Sequence, residues 1–177
     1  MNLCIVHRVR RGAMPRVTPE FEKLKTAGIR VLTFNLDALT DAGRKQVLDC
    51  LFTEMGASGK VRMVLHSVAF GNLKLLAPCL SPEAALYDNE RFLEAEDFAR
   101  TIHAMGYNLV EWVRDLFSRK LFAPDARVIS LTSEGGRKAW RGYAAVAAAK
   151  AVLEAAARAM ALEFAPYGIR SNVIQAG

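Results

Sequence analysis

Tyr143, Lys150 and Ser133 are the residues of this 177-residue chain whose types and spacing could do chemistry. A lysine seven residues after a tyrosine lies about 700° further round a helix, so both side chains leave the same face. A tyrosine with its ordinary pKa of about 10 needs a nearby cation to serve as a proton donor near neutrality. Lys150 can supply that charge. Ser133 ends the apolar run VISLTS and can hold a carbonyl oxygen by a hydrogen bond beside the tyrosine.

The elements that must position these groups read as alternating strands and helices. LCIVH at 3–7 is a short apolar run suited to a buried parallel strand, and it ends in Arg8, Arg10 and Arg11. Thr18-Pro19-Glu20 predicts the start of a helix that Gly28 ends. IRVLTF then reads as a strand, Asn35-Leu36-Asp37-Ala38 as a turn, and Thr40 or Asp41 as the cap of a helix running to Gly56. Lys60 to Leu65 is a strand leading into His66-Ser67-Val68-Ala69-Phe70-Gly71. Positions 72–92, with Pro78, Pro82 and Tyr87, form an irregular interval, either a substrate-binding segment or a divergent insertion. Leu93 to Phe117 is one long helical pattern, with Phe98, Ile102, Met105, Leu109, Val113 and Leu116 at spacings of three and four. Asn108 lies inside it. Arg127 to Thr132 is a strand, Gly135 and Gly136 suit a mobile turn, and an alanine-rich helix runs from Tyr143 to Ala165. This alternation predicts one α/β domain over residues 1–177, built on a parallel sheet.

Composition agrees with that class. The chain is 52% hydrophobic and 24% charged, which suits a sizeable core and argues against disorder. No apolar run reaches about 18 residues and no signal-peptide pattern opens the chain, so the expectation is no membrane and a cytoplasmic protein. Cys4, Cys50 and Cys79 have no CxxC spacing and read as thiols in a reducing compartment, with no metal site. The net charge of +6 permits a nucleic acid, an acidic protein or a phosphorylated cofactor as partner. The basic residues are scattered apart from positions 8–16 and lack an aromatic platform, so no nucleic acid is expected.

The stretch from Arg127 to Gly177 resembles the catalytic half of a short-chain dehydrogenase/reductase. Most of that superfamily carries Tyr-x3-Lys, but the position four before Lys150 is Val146. Tyr143-x6-Lys150 is the pattern of the enoyl-acyl-carrier-protein reductase branch. A second match is His66-Ser67-Val68-Ala69-Phe70, similar to the His-Ser-Ile-Gly-Phe-like turn of enoyl reductases. By that resemblance Ser67, Val68 and Ala69 line the cofactor, and His66 is structural. Pro166, Gly168 and Ile169-Arg170-Ser171-Asn172-Val173 match the run into the family's sixth strand. Gln175-Ala176-Gly177 matches the start of its cofactor-contacting loop, which makes Gly177 a cofactor residue. Asn108 falls where the wider superfamily has an asparagine that bends this helix and helps relay protons toward the lysine. A plain polar position is the alternative. Ser133 stands where ordinary short-chain reductases have their catalytic serine and many enoyl reductases have a second tyrosine.

The resemblance implies a Rossmann-like doubly wound parallel sheet, with Tyr143, Lys150, Ser133 and Asn108 as catalytic residues. If 3–7 is the second strand of such a fold, its end meets the adenosine ribose, where an acid accepts the 2′-OH of NAD and an arginine accommodates the 2′-phosphate of NADP. No acid occurs there. His7 and Arg8 are the nearest candidates, so NADPH is expected, with NADH as the alternative, and a solvated basic turn is the other reading of the cluster. Asp37 and Ala38 match the turn that receives the adenine, although an aspartate after a strand is commonly a turn residue. The implied reaction is reduction of a trans-2-enoyl thioester, carried on acyl carrier protein, in fatty acid synthesis. The alternatives are a ketone- or alcohol-specific reductase and a non-catalytic remnant. Family members pair through long helices, which implies a homo-oligomer, dimer or tetramer. No glycine-rich turn precedes the strand at 3–7, and the last strand of the family has no counterpart, so the resemblance implies a fragment truncated at both ends. In the family's strand order, 3-2-1-4-5-6-7, the absent first strand leaves two sheet edges unpaired.

Overall fold

The computed structural model describes residues 2–56, 58–77 and 92–176; Cys79, Pro78, Pro82, Tyr87 and Gly177 lie outside them. The chain divides into two units, Met1–Gly56 and Ala57–Gly177.

In the first unit, β1 (Asn2–His7) and β2 (Arg30–Asn35) pair in parallel, with Asn2 opposite Arg30 and His7 opposite Asn35. The crossover helix α1 (Met14–Thr26) starts earlier than Thr18-Pro19-Glu20 predicts, and Pro19 lies inside it. A short 3₁₀ turn, Arg11–Ala13, and a proline in the first turn, Pro15, offer an earlier start, where a missing N–H costs nothing. Thr18 Oγ1 donates back to the Met14 carbonyl at 3.0 Å instead of capping. Gly28, at φ 76°, follows the end of the helix as expected. Of the two candidate caps of α2 (Asp41–Met55), Thr40 is the one used, its Oγ1 accepting the Gly43 N–H at 3.1 Å. Among the described residues of this unit, only Gly43, Arg44, Val47 and Leu48 of α2 are fully buried.

The second unit holds a three-stranded parallel sheet in the order β3-β4-β5. These strands are Val61–His66, Phe122–Ser133 and Ile169–Ala176. Both β4 and β5 are longer than expected. Thr132 and Ser133 of β4 stand opposite Gln175 and Ala176, so the two residues expected to begin a loop complete the ladder instead. The long helical pattern is realised in three pieces, α3 (Ala95–Ile102), a π-helical turn (His103–Tyr107) and α4 (Asn108–Ser118). The alanine-rich helix α5 spans Ala144–Glu163, with Tyr143 as its N-cap rather than within it.

Leu109 and Val113 of α4, Leu153 and Met160 of α5, Ala126 and Val128 of β4 and Ile169 of β5 form the core. Each fully buried leucine or isoleucine there contributes about 2 kcal/mol by leaving water. Gly168, at φ 74°, turns the chain into β5, and a Cβ there would overlap the Pro124 carbonyl, so the turn demands glycine twice over. Met63 and Leu65 of β3 and Ile174 of β5 stay exposed. All strand pairs are parallel, as expected of a Rossmann-like fold, β1-β2 in the first unit and β3-β4-β5 in the second.

Candidate functional site

The catalytic candidates gather at the carboxyl end of β4, the edge of a parallel sheet where ligands bind in such folds. Ser133 is the last residue of β4, and its Oγ lies 3.2 Å from the Tyr143 hydroxyl. Tyr143 is fixed at the start of α5: its carbonyl accepts the Ala147 N–H at 2.8 Å and its own N–H donates to Trp140 at 3.2 Å. The edge of the Trp140 ring meets the tyrosine ring, with centroids 5.1 Å apart. Gly135 is buried beneath that ring, and any Cβ there would overlap it. The glycine expected to give a mobile turn is therefore space for Tyr143.

Lys150 is 7% exposed, and its Nζ donates to the Leu131 carbonyl at 2.7 Å. Burial lowers its pKa. The same strand end thus holds the ammonium through Leu131 and the hydroxyl pair through Ser133. These are a cation and two hydroxyl donors on one rigid frame, fit to bind sugar hydroxyls and a carbonyl oxygen.

Behind them the polar groups are buried. Asn108, the first residue of α4, is wholly inaccessible and donates from Nδ2 to Glu111 Oε2 at 2.9 Å. The preceding π turn supplies the irregularity in this helix, with the Asn108 N–H returning to His103 O. His66 ends β3 and is buried, which pushes its pKa down to about 4; an Asn108 hydrogen bond opposes the shift and the Lys150 charge adds to it. The imidazole is neutral at pH 7. After it, Ser67 and Ala69 are exposed and Val68 half-buried. Gly71 packs so closely that a Cβ would lie 2.6 Å from Val146.

In the first unit, Arg8 and Asp37 follow β1 and β2 and form an ion pair at 3.1 Å. Asp37 Oδ1 also accepts the Leu39 N–H at 3.0 Å, the bond of a turn aspartate. Ala38 is half-buried in that turn, and His7 packs its ring on Phe21 at 5.3 Å. Gly12, in the turn after β1, has nothing within 4 Å of a built Cβ, so no close backbone approach requires glycine there.

Three contributors escape a reading of residue types: the Leu131 carbonyl, Gly135 with Trp140 around the tyrosine ring, and Glu111. Only Glu111 had a signal, its place three residues after Asn108 on one helix face. No group of three or more His, Cys, Asp or Glu residues able to hold a metal occurs among the described residues. No helix among them is long and apolar enough to cross a membrane.

Residues 5–177 match the family model described as enoyl-(acyl carrier protein) reductase. The Staphylococcus aureus (strain MRSA252) enoyl-acyl-carrier-protein reductase (NADPH) FabI is 32% identical over 127 residues, 71% of this chain and 45% of that protein. The Synechocystis (strain PCC 6803) enoyl-acyl-carrier-protein reductase (NADH) FabI is 32% identical over 122 residues, 67% of this chain and 46% of that one. The matched part therefore spans about half the length of these curated relatives. A solved enoyl-acyl-carrier-protein reductase of Anaplasma phagocytophilum, in complex with NAD, shares the fold with a TM-score of 0.71 at 21% identity, over 98% of this chain and 59% of that chain. The Aquifex aeolicus enoyl-acyl-carrier-protein reductase (NADH) gives 0.72 at 21% identity, over 97% and 61%. The match over residues 5–177 and the shared Rossmann-like fold place this chain among the short-chain dehydrogenases/reductases, and it belongs to their enoyl-(acyl carrier protein) reductase family.

Proposed function

We propose that this chain is the catalytic part of an NADPH-dependent reductase of trans-2-enoyl thioesters, carried on acyl carrier protein, in cytoplasmic fatty acid synthesis. The observation that carries the reading is the enoyl-(acyl carrier protein) reductase match over residues 5–177, in which Tyr143 stands seven residues before a buried Lys150 whose ammonium is held by the Leu131 carbonyl. The nicotinamide, when bound, supplies the hydride. Tyr143 donates a hydrogen bond to the thioester carbonyl oxygen and stabilises the negative charge that develops there, with Ser133 as second donor. Lys150 binds the ribose hydroxyls and keeps positive charge near the phenol. Ser67, Val68 and Ala69 line the cofactor, and Gly177, outside the described residues, is a further cofactor residue by the family resemblance. Among the residues of the first unit, Arg8 takes the 2′-phosphate with His7 beside it, and Asp37 and Ala38 receive the adenine; NADH is the alternative cofactor. Relatives that are NADPH- and NADH-dependent support both. The whole of 1–177 reads as one partial dinucleotide-binding domain, and its alanine-rich α5 suits pairing into a homo-oligomer.

A ketone- or alcohol-specific reductase is the second reading, favoured by the serine–tyrosine pair itself. NADPH oxidation with crotonyl thioester and with simple ketones separates the two. Faster turnover of the thioester supports the first, and a preference for ketones overturns it. A folded protein that binds no cofactor would make the chain a non-catalytic remnant.

A further inference from the structure

Glu111 lies outside the residues that meet substrate or cofactor, yet its surroundings are unlike those of a helix-surface acid. Its Oε2 accepts from Asn108 Nδ2 at 2.9 Å and lies 3.0 Å from His103 Nε2. The His103 side chain is 39% exposed and that of Glu111 20%, whereas Asn108 is wholly buried. The π turn makes this arrangement. In a regular helix, residues eight apart are about 80° out of line, but one extra residue in the turn restores the relation of residues seven apart, about 20° out. His103 and Glu111 then share a face, and Asn108 joins them at the i,i+3 spacing. Gly106 within the turn lets α5 approach, a Cβ there lying 3.0 Å from the Ala149 carbonyl.

An ionised carboxylate only accepts hydrogen bonds, whereas an amide donates from one side and accepts on the other. Glu111 therefore fixes which way the Asn108 amide faces, with its NH2 outward and its carbonyl toward the core. That oxygen, Oδ1, is itself buried. A flipped amide would set its oxygen against the Glu111 carboxylate and lose that bond.

We propose that Glu111 is a positioning residue, which locks the orientation of the buried Asn108 amide, with its NH2 on the carboxylate and its oxygen turned into the interior. Its effect on turnover rests on the function proposed above; its effect on Asn108 does not. The test uses the whole 15N-labelled chain, with the Asn108 side-chain amide identified by its disappearance in Asn108→Asp. In the unaltered protein this amide exchanges with solvent at least about tenfold more slowly than surface asparagines. Glu111→Ala speeds that exchange about tenfold, while Glu111→Gln, which keeps an acceptor oxygen, stays within about threefold of the original. Rapid exchange in the unaltered protein, which needs no variant to fold, overturns the proposal, as does unchanged exchange in folded Glu111→Ala. With NADPH and an enoyl thioester, Glu111→Ala lowers kcat about tenfold with little change in KM, and Glu111→Gln restores it. Absence of turnover in the unaltered protein sinks the reaction proposed above and leaves the amide exchange to decide on Glu111.

Discussion

The two units carry charged and polar candidates in opposite ways. In Met1–Gly56, Arg8 and Asp37 pair at the surface, with side chains 67% and 36% exposed. In Ala57–Gly177, His66, Asn108 and Lys150 are buried, beside a core drawn from two helices and two strands. A buried cation is costly unless the surroundings hold it in place. The second unit has the packing to hold such groups, and so can present them at fixed positions. The first, with full burial confined to α2 among its described residues, offers a surface suited to recognition rather than to shifting the chemistry of a side chain.

The largest expected effect breaks this contrast at two glycines of nearly equal φ. Gly168→Ala must both strain φ 74° and displace the Pro124 carbonyl, whereas Gly28 has φ 76° and open space. We predict a loss of about 4 kcal/mol or more at Gly168 and about 1 kcal/mol at Gly28, read from urea unfolding. Similar losses would show that packing does not separate the units.

Next is acid sensitivity. His66 in the folded chain titrates at about 4, against 6.5 for the ordinary group. Below pH 6.5 the unfolded chain gains a proton that the folded chain refuses, so stability falls from pH 6.5 to about 4 and is unaffected by this group above 6.5. The loss accumulates to about 3 kcal/mol. His66→Asn should flatten that window in a pH series of urea midpoints, and an unchanged slope would contradict the burial argument.

The smallest effect is a gain. Because burial lowers the Lys150 pKa, the charged lysine opposes folding at neutral pH, and this opposition fades as pH rises through the lowered folded pKa. Lys150→Met should raise the melting temperature by about 2–4 °C, the sign of a residue kept for function at the expense of stability. A lower melting temperature would mean that the bond to Leu131 outweighs desolvation.

The alternation of strands and helices was legible because parallel strands and their crossover helices differ in the period of their apolar residues. The start of α1 was not, since Thr18-Pro19 and Pro15 are both acceptable openings and only the 3₁₀ turn before Met14 selects between them. The π turn was hidden for a related reason: one added residue barely disturbs a spacing of threes and fours. At the site, Tyr143, Lys150 and Ser133 could be named from spacing, and the structure brings Ser133 and Tyr143 together and ties Lys150 to the same strand. The Leu131 carbonyl and the space above Gly135 belong to backbone and shape, which residue types do not encode. Gln175 and Ala176 were misread as loop because the length of β4 opposite them decides where β5 ends.

The central claim is that Lys150 is the buried cation of a nicotinamide site, and the most direct measurement is a titration of NADPH into the unaltered chain and into Lys150→Met. The account predicts saturable binding by the first and at least about tenfold weaker binding by the folded variant. Equal affinity in the two proteins, or no binding by either, would contradict it.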